Sequence, residues 1–335
     1  MLLAGTTEGV YALGASGATR VLDSADVREI CEVGSTVFAC TGSGLYRSED
    51  GGATWTGPAM ADHQVWTLRE APDGVLFAGT QPAGLWRSDD GGVSWTANEA
   101  FAQLPEAARW CIPLDPPLPG RARAMVIDQA DPDRMWVGVE VGGVARTEDR
   151  GATWTVDLPG DNPDLHVMCA HPAENDVLFA STGYGRFDHV AEELEGNAGV
   201  FRSDDGGRSW DYAWKGITPR YSRPMCIDRR DPFSLTVASA PTAFSDHEDP
   251  GGANAALFRS DDHGRSWRSL GDAAHSPSPA NFHGLVVDPD VVGGVIVGTD
   301  TGEVWRVSDG AEWTSVESGL PKVWSLAVVA GSASS

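Results

Sequence analysis

One octapeptide pattern, Ser/Thr-x-Asp-x-Gly-x-x-Trp, recurs intact five times in this chain of 335 residues. The copies are SEDGGATW (48–55), SDDGGVSW (88–95), TEDRGATW (147–154), SDDGGRSW (203–210) and SDDHGRSW (260–267), and a shortened form, SDGAEW, spans 308–313. A repeat of fixed grammar constrains a fold more than any composition does. Each copy lies between two strand-like runs, as in GLWRS before SDDGG and SWTAN after it, so each is a hairpin turn. The third-position aspartates, Asp50, Asp90, Asp149, Asp205 and Asp262, accept backbone N–H groups across the turn. The glycine supplies a left-handed conformation and the tryptophan plugs into the core. These aspartates are assigned a structural role.

Between boxes the chain repeats an inner strand, a second strand and the box hairpin. Inner strands align from Ile30, Trp66, Met125, Met168, Met225, Leu285 and Trp324. The chain opens with a second strand and hairpin that lack an inner strand, and closes with an inner strand that lacks followers. Together the ends complete one blade, which removes the exposed sheet edges. The expectation is an all-β, single seven-bladed β-propeller over 1–330, its first blade completed by 322–329, with a flexible tail at 331–335. Forty glycines, 21 prolines and 13 tryptophans suit short strands, tight turns and large packing rings.

The boxes resemble the Asp boxes of the sialidase-like and BNR-repeat propellers, and the resemblance runs through nearly the whole chain. In that family the boxes lie on the outer hairpin of each blade, away from the functional pocket. Resemblance to sialidases implies glycoside hydrolysis with an arginine cluster, a Tyr–Glu nucleophile pair and an acidic proton donor. Arg28, Arg123 and Arg223 would supply that cluster here. Sialidases have six blades, however, and their Arg-Ile-Pro signature is absent near this N-terminus. Seven-bladed Asp-box units also occur in xyloglucan hydrolases, whose paired acids face each other across two propellers, whereas one propeller is present here. The chain is similar as well to seven-bladed BNR-like photosystem assembly factors, which implies a scaffold whose arginine-rich face engages a protein partner.

A net charge of −24, from 48 acids against 24 Lys plus Arg, excludes a sequence-independent nucleic-acid binder. No run is apolar enough to cross a bilayer as a helix. MLLAGTTEGVYAL has no basic n-region and no sustained apolar h-region, so it does not read as a signal peptide. Five cysteines without CxxC spacing read as small buried residues: Cys31, Cys169 and Cys226 fall at equivalent points of inner strands. The reading is a cytoplasmic protein.

The connections into the inner strands, and the loops between second and third strands, share one face, here the top. It carries the long insertions: 97–123 before the third inner strand, and 182–199 and 240–255 in the fourth and fifth blades. Two residues before each inner-strand start lie Arg28, Gln64, Arg123, His166, Arg223, His283 and Lys322. Six of these seven are basic-type, which predicts an anion pocket at the channel mouth. Histidines gather on the same face: His63, His166, His189, His247, His275 and His283. His166, His283 and His247, with Asp246 and Glu248, are the proton-transfer candidates. Tyr184, Arg186 and Tyr221 join the ring residues and His63 as binding candidates, and Trp110 with Arg109 as an apolar wall. Trp66 and Trp324 read as core. No cofactor is specified, but His189, His247 and Asp188 are candidate ligands for a divalent metal. The function expected is hydrolase or lyase chemistry on a small anionic or sugar-like ligand. The alternatives are a protein-binding scaffold and a lectin-like sugar binder.

Overall fold

A computed structural model describes residues 1–187, 190–191 and 197–330. Seven four-stranded antiparallel sheets surround a central channel. Blades are numbered here by their inner strands. These are Glu29–Val33, Gln64–Glu70, Arg121–Ile127, Leu165–Ala170, Tyr221–Asp228 and Phe282–Val287 for blades 1 to 6. Val323–Val328 serves blade 7 and pairs with the N-terminal Leu2–Thr6, so the two ends of the chain share one sheet, as the repeat predicts. Each gap between neighbouring blades holds its own apolar cluster. Phe38, Leu45, Val65, Leu68 and Leu76 fill the gap between blades 1 and 2, and Leu3, Val10, Val27 and Val37 close the ring between blades 7 and 1.

The five intact boxes fold alike. The first-position hydroxyl donates to the aspartate at 2.7 to 2.9 Å and accepts the glycine N–H at 2.8 to 2.9 Å. Asp90 also accepts from the Val93 and Ser94 amides and from the Ser94 hydroxyl. The glycine is left-handed in each box, with φ between +77° and +95°. Its missing Cβ matters for packing too: at Gly92 that atom would stand 2.9 Å from Phe38 of the preceding blade, and at Gly264 3.3 Å from Phe179. Local turn chemistry and blade-to-blade docking therefore use the same residue.

Six inner strands carry a bulge near their upper end. In blade 3, Ala122 pairs with Val139 and Ala124 with Gly138, leaving Arg123 unpaired. Trp66, His166, His283 and Trp324 are left out of register in the same way, and Arg223 with Pro224 in blade 5. A bulge re-aims its extra residue and bends the strand. Repeated around the ring, it turns one residue per blade toward the mouth of the channel.

The Asp50 and Asp90 carboxyls are held at about 2 by the Thr54 and Ser94 hydroxyls and amides and by Ser48 and Ser88. A carboxyl depressed in the folded state contributes stability above its unfolded pKa of about 4, and that contribution is lost as pH falls toward the folded value. The melting temperature should accordingly drop between about pH 4 and pH 2. In an Asp50→Asn/Asp90→Asn double variant it should start lower at pH 7 and decline less over that acid limb. An acid limb identical to that of the parent chain rejects this role for the boxes.

Candidate functional site

The channel mouth opens into a cavity of about 560 Å³. Its polar lining is mostly cationic or imidazole: Arg28, Arg121, Arg123, His166, Arg223 and His283. Trp66 and Trp324 form flat walls, and Arg69, paired with Glu29 at 2.6 Å, lies deeper. Arg28 stacks between the two tryptophans, its guanidinium carbon 4.5 Å from the Trp66 ring centre and 4.9 Å from that of Trp324. Arg121 lies 4.5 Å from the Trp66 ring. Such stacking holds a guanidinium in place through its faces and leaves its N–H edges free for an anion.

Fixed negative charge near the mouth is sparse. Arg28 meets Asp26 at 3.0 Å, and Arg121 and Arg123 share the single carboxylate of Glu140 at 3.3 and 2.5 Å. Arg223 donates to neutral partners, the Tyr221 hydroxyl at 3.0 Å and the Ala243 carbonyl at 3.3 Å. Burial raises the Glu140 carboxyl, but Arg123, Arg121, His166 and Arg223 outweigh that and hold it well below the usual carboxylate range. It is the buried counter-ion of the cluster. Burial, together with the charges of Arg121 and Arg123, brings Arg28 down to about 10 against the pull of Asp26 and Glu140.

Behind the cations runs a hydrogen-bonded layer. His166 is fully buried and directs Nδ1 at the Ser222 carbonyl, 2.7 Å away. That carbonyl can only accept, so Nδ1 carries a proton. Nε2 then faces the Tyr221 hydroxyl at 3.2 Å and Asp164 at 3.3 Å. Burial pushes the Tyr221 phenol up to about 12, so it remains protonated. His283 directs Nδ1 toward the Arg223 guanidinium at 3.4 Å, while its Nε2 is buried without a partner. Burial, with Arg223, Lys322, Arg123 and Arg28 nearby, holds this imidazole well below its ordinary pKa.

The structure brings Arg28, Arg123, His166, Arg223 and His283 together around the cavity. Gln64 and Lys322 are not in its lining. In blades 2 and 7 the bulge falls at Trp66 and Trp324, so the true register is shifted by two residues and the tryptophans occupy the ring positions. Neither tryptophan is therefore simply a core residue. Lys322 sits at the rim, 3.6 Å from Asp246 and 4.9 Å from the Trp324 ring centre. His63 lies apart, edge-on to Trp86 at 4.7 Å in a shallow groove with Met60 and Trp95. His275 stacks on Trp313. Tyr184 and Tyr221 are buried against each other, and Arg186 donates to Asn162 at 3.1 Å, so these three support the mouth from behind. Trp110 belongs to the core beside Phe101, not to a wall of the cavity, and Arg109 stacks over Phe187. His247 bridges Asp246 and Asp300 in a loop beside the mouth, and Glu248 is exposed. His189 and Asp188 lie outside the described residues.

Residues that sequence reasoning missed are Arg121, Glu140, Asp164 and Asp300. A signal existed for two of them. Glu140 and Asp300 stand at the ends of the matching second strands, VGVE and VGTD.

No protein-family model and no curated protein sequence matches the chain. Among solved structures, an ancestral GH74 enzyme is 12% identical over 96% of this chain and 40% of its own, with a TM-score of 0.59. The GH74 xyloglucanase from Xanthomonas campestris is 16% identical over 94% and 46%, with a TM-score of 0.60. YCF48 bound to D1 peptide is 17% identical over 87% and 81%, with a TM-score of 0.54. The chain spans less than half the length of the two GH74 enzymes. At such identities the likeness shows a shared propeller fold.

The field at His283 has a measurable consequence. Its imidazole should remain neutral at pH 6, where an ordinary histidine is largely protonated. Its carbon and proton shifts followed by NMR across pH 5 to 8 should stay flat, while those of Arg223→Gln move toward ordinary titration. A normal titration near pH 6.5 in the parent chain contradicts the cationic field described here.

Proposed function

We propose that the protein binds a small anionic ligand, carrying a carboxylate, phosphate or sulfate group, in the mouth of its central channel. On this reading it acts on that ligand as a hydrolase or lyase. The observation that carries the binding is the imbalance of fixed charge: among the described residues, Arg28, Arg121, Arg123 and Arg223 are countered by ion pairs to Asp26 and Glu140 and, through space, by Asp164. In a chain of net charge −24, such a surplus is costly to bury and is of use only to an anion. Guanidinium edges suit the bidentate geometry of carboxylate and phosphate oxygens. Proton transfer would fall to His283, whose neutral imidazole lines the cavity. His166, enclosed behind Tyr221, positions Arg223 instead.

A second reading is favoured by one finding: the propeller similar over most of both chains, YCF48, was solved with a peptide bound. An acidic peptide segment would satisfy the same guanidiniums without any reaction, and the protein would then be a scaffold.

Thermal-shift and calorimetric titration with sialic and uronic acids, phosphate and sulfate tests both readings. A ligand at about 100 times its dissociation constant stabilises the folded chain by roughly 2.7 kcal/mol. Arg28→Ala and Arg223→Ala should each weaken binding about tenfold or more, or roughly 1.4 kcal/mol, and added salt should weaken it further. Product formation by the parent chain would support the enzyme. Absence of any anion-dependent shift, together with capture of an acidic peptide, would support the scaffold in its place.

A further inference from the structure

We propose that Asp246, His247 and Asp300 form a divalent-cation site beside the channel mouth, suited to a borderline metal such as zinc or cobalt. The Asp300 side chain is fully buried, yet no arginine or lysine is paired with it among the described residues. Its Oδ1 accepts the Asn281 amide at 2.9 Å and its Oδ2 the His247 amide at 3.0 Å. Glu140 gives the contrast. It stands at the matching place in blade 3, at the end of the second strand, and two guanidiniums neutralise it. Asp300 instead faces an imidazole that it must share with a second carboxylate. A buried carboxylate needs a compensating charge, and this cluster provides too little of it: Lys322 approaches only the outer oxygen of Asp246, at 3.6 Å.

The ligand atoms are already spaced for a metal. His247 Nδ1 lies 3.1 Å from Asp246 Oδ1 and 3.2 Å from Asp300 Oδ2. Neighbouring ligands on bonds of about 2.0 to 2.2 Å stand roughly 3 to 3.5 Å apart. One imidazole nitrogen with two carboxylate oxygens matches the preferences of these metals. His247 is 37% exposed on its side chain, which leaves room for water ligands and allows its proton to sit on Nε2. Two other acid–histidine groups among the described residues fit a cation poorly. His171 Nδ1 accepts the Ala173 and Glu174 amides, which fixes the proton on Nε2, and that nitrogen donates to His263. The group of Glu140, Asp164 and His166 is enclosed by Arg121, Arg123 and Arg223.

The site is independent of the anion reading and is tested without an anion. The whole chain, stripped with a chelator and dialysed, is titrated with zinc chloride by calorimetry and with cobalt chloride by visible absorption. The expected result is one equivalent bound with micromolar or tighter affinity, with d–d bands of nitrogen–oxygen ligation for cobalt. His247→Ala and Asp246→Asn should each weaken uptake tenfold or more while the metal-free melting curves stay close to the parent, and Arg223→Ala should bind as the parent does. Lack of uptake at millimolar metal overturns the proposal. So does undiminished uptake in both His247→Ala and Asp246→Asn, which would place the cation elsewhere.

Discussion

The pairing of the first strand with the last is the contact on which everything else rests. Leu2 lies opposite Val328 and Ala4 opposite Leu326, and Met1 and Val329 exchange backbone hydrogen bonds across 328 residues of sequence. Every other blade is built from neighbouring segments and forms locally. This one needs the two ends of the chain to meet, with the loop-closure cost that such a contact carries. Its return is geometric: the N-terminal strand gains the inner partner that its own segment lacks, and seven inner strands are held at fixed angles around one axis. Side chains from all seven blades can then converge on a single cavity with the precision of a sheet, not of a loop.

Convergence alone would not aim those side chains. A regular strand alternates its faces, and in an inner strand of a propeller both faces are already committed to packing against the neighbouring blades. The bulge at Trp66, Arg123, His166, His283 and Trp324 frees one residue from that constraint. The channel mouth is therefore a ring of backbone irregularities placed on a regular frame. Bulges commonly occur beside functional sites for this reason.

This division also explains what could be read from the sequence. The boxes are local: one hydroxyl, one carboxylate and one left-handed glycine within eight residues, so five copies marked the blade hairpins, while the seven aligned inner strands set the number of blades. The ring of basic residues was legible in the blades where an aliphatic or sulfur-bearing residue follows two positions later, as Met125 follows Arg123. It was misread in blades 2 and 7, where tryptophan looks like the first core residue but is itself the bulge. Gln64 and Lys322 took the places that belong to Trp66 and Trp324. Arg121 and Asp164 were invisible for a different reason, and the strand-end signal at Glu140 does not say what that carboxylate pairs with. Their importance lies in distances between strands that the one-dimensional pattern does not contain, such as the 2.5 Å between Arg123 and Glu140.

The electrostatic design of the mouth follows from these placements. Guanidiniums taken out of water cost several kcal/mol each unless they are compensated. Here the compensation is partial and varied in kind: tryptophan faces for Arg28 and Arg121, one shared carboxylate for Arg121 and Arg123, and a phenol and a carbonyl for Arg223. Each of these partners orients its cation without neutralising it fully, and the phenol is itself oriented by His166, whose Nδ1 proton the Ser222 carbonyl accepts. A protein optimised for stability alone would place a second carboxylate where Tyr221 now stands, next to Arg223. Tyr221 holds Arg223 in position by a hydrogen bond, and the charge of Arg223 is answered through space by Glu140 and Asp164 and not by a direct ion pair.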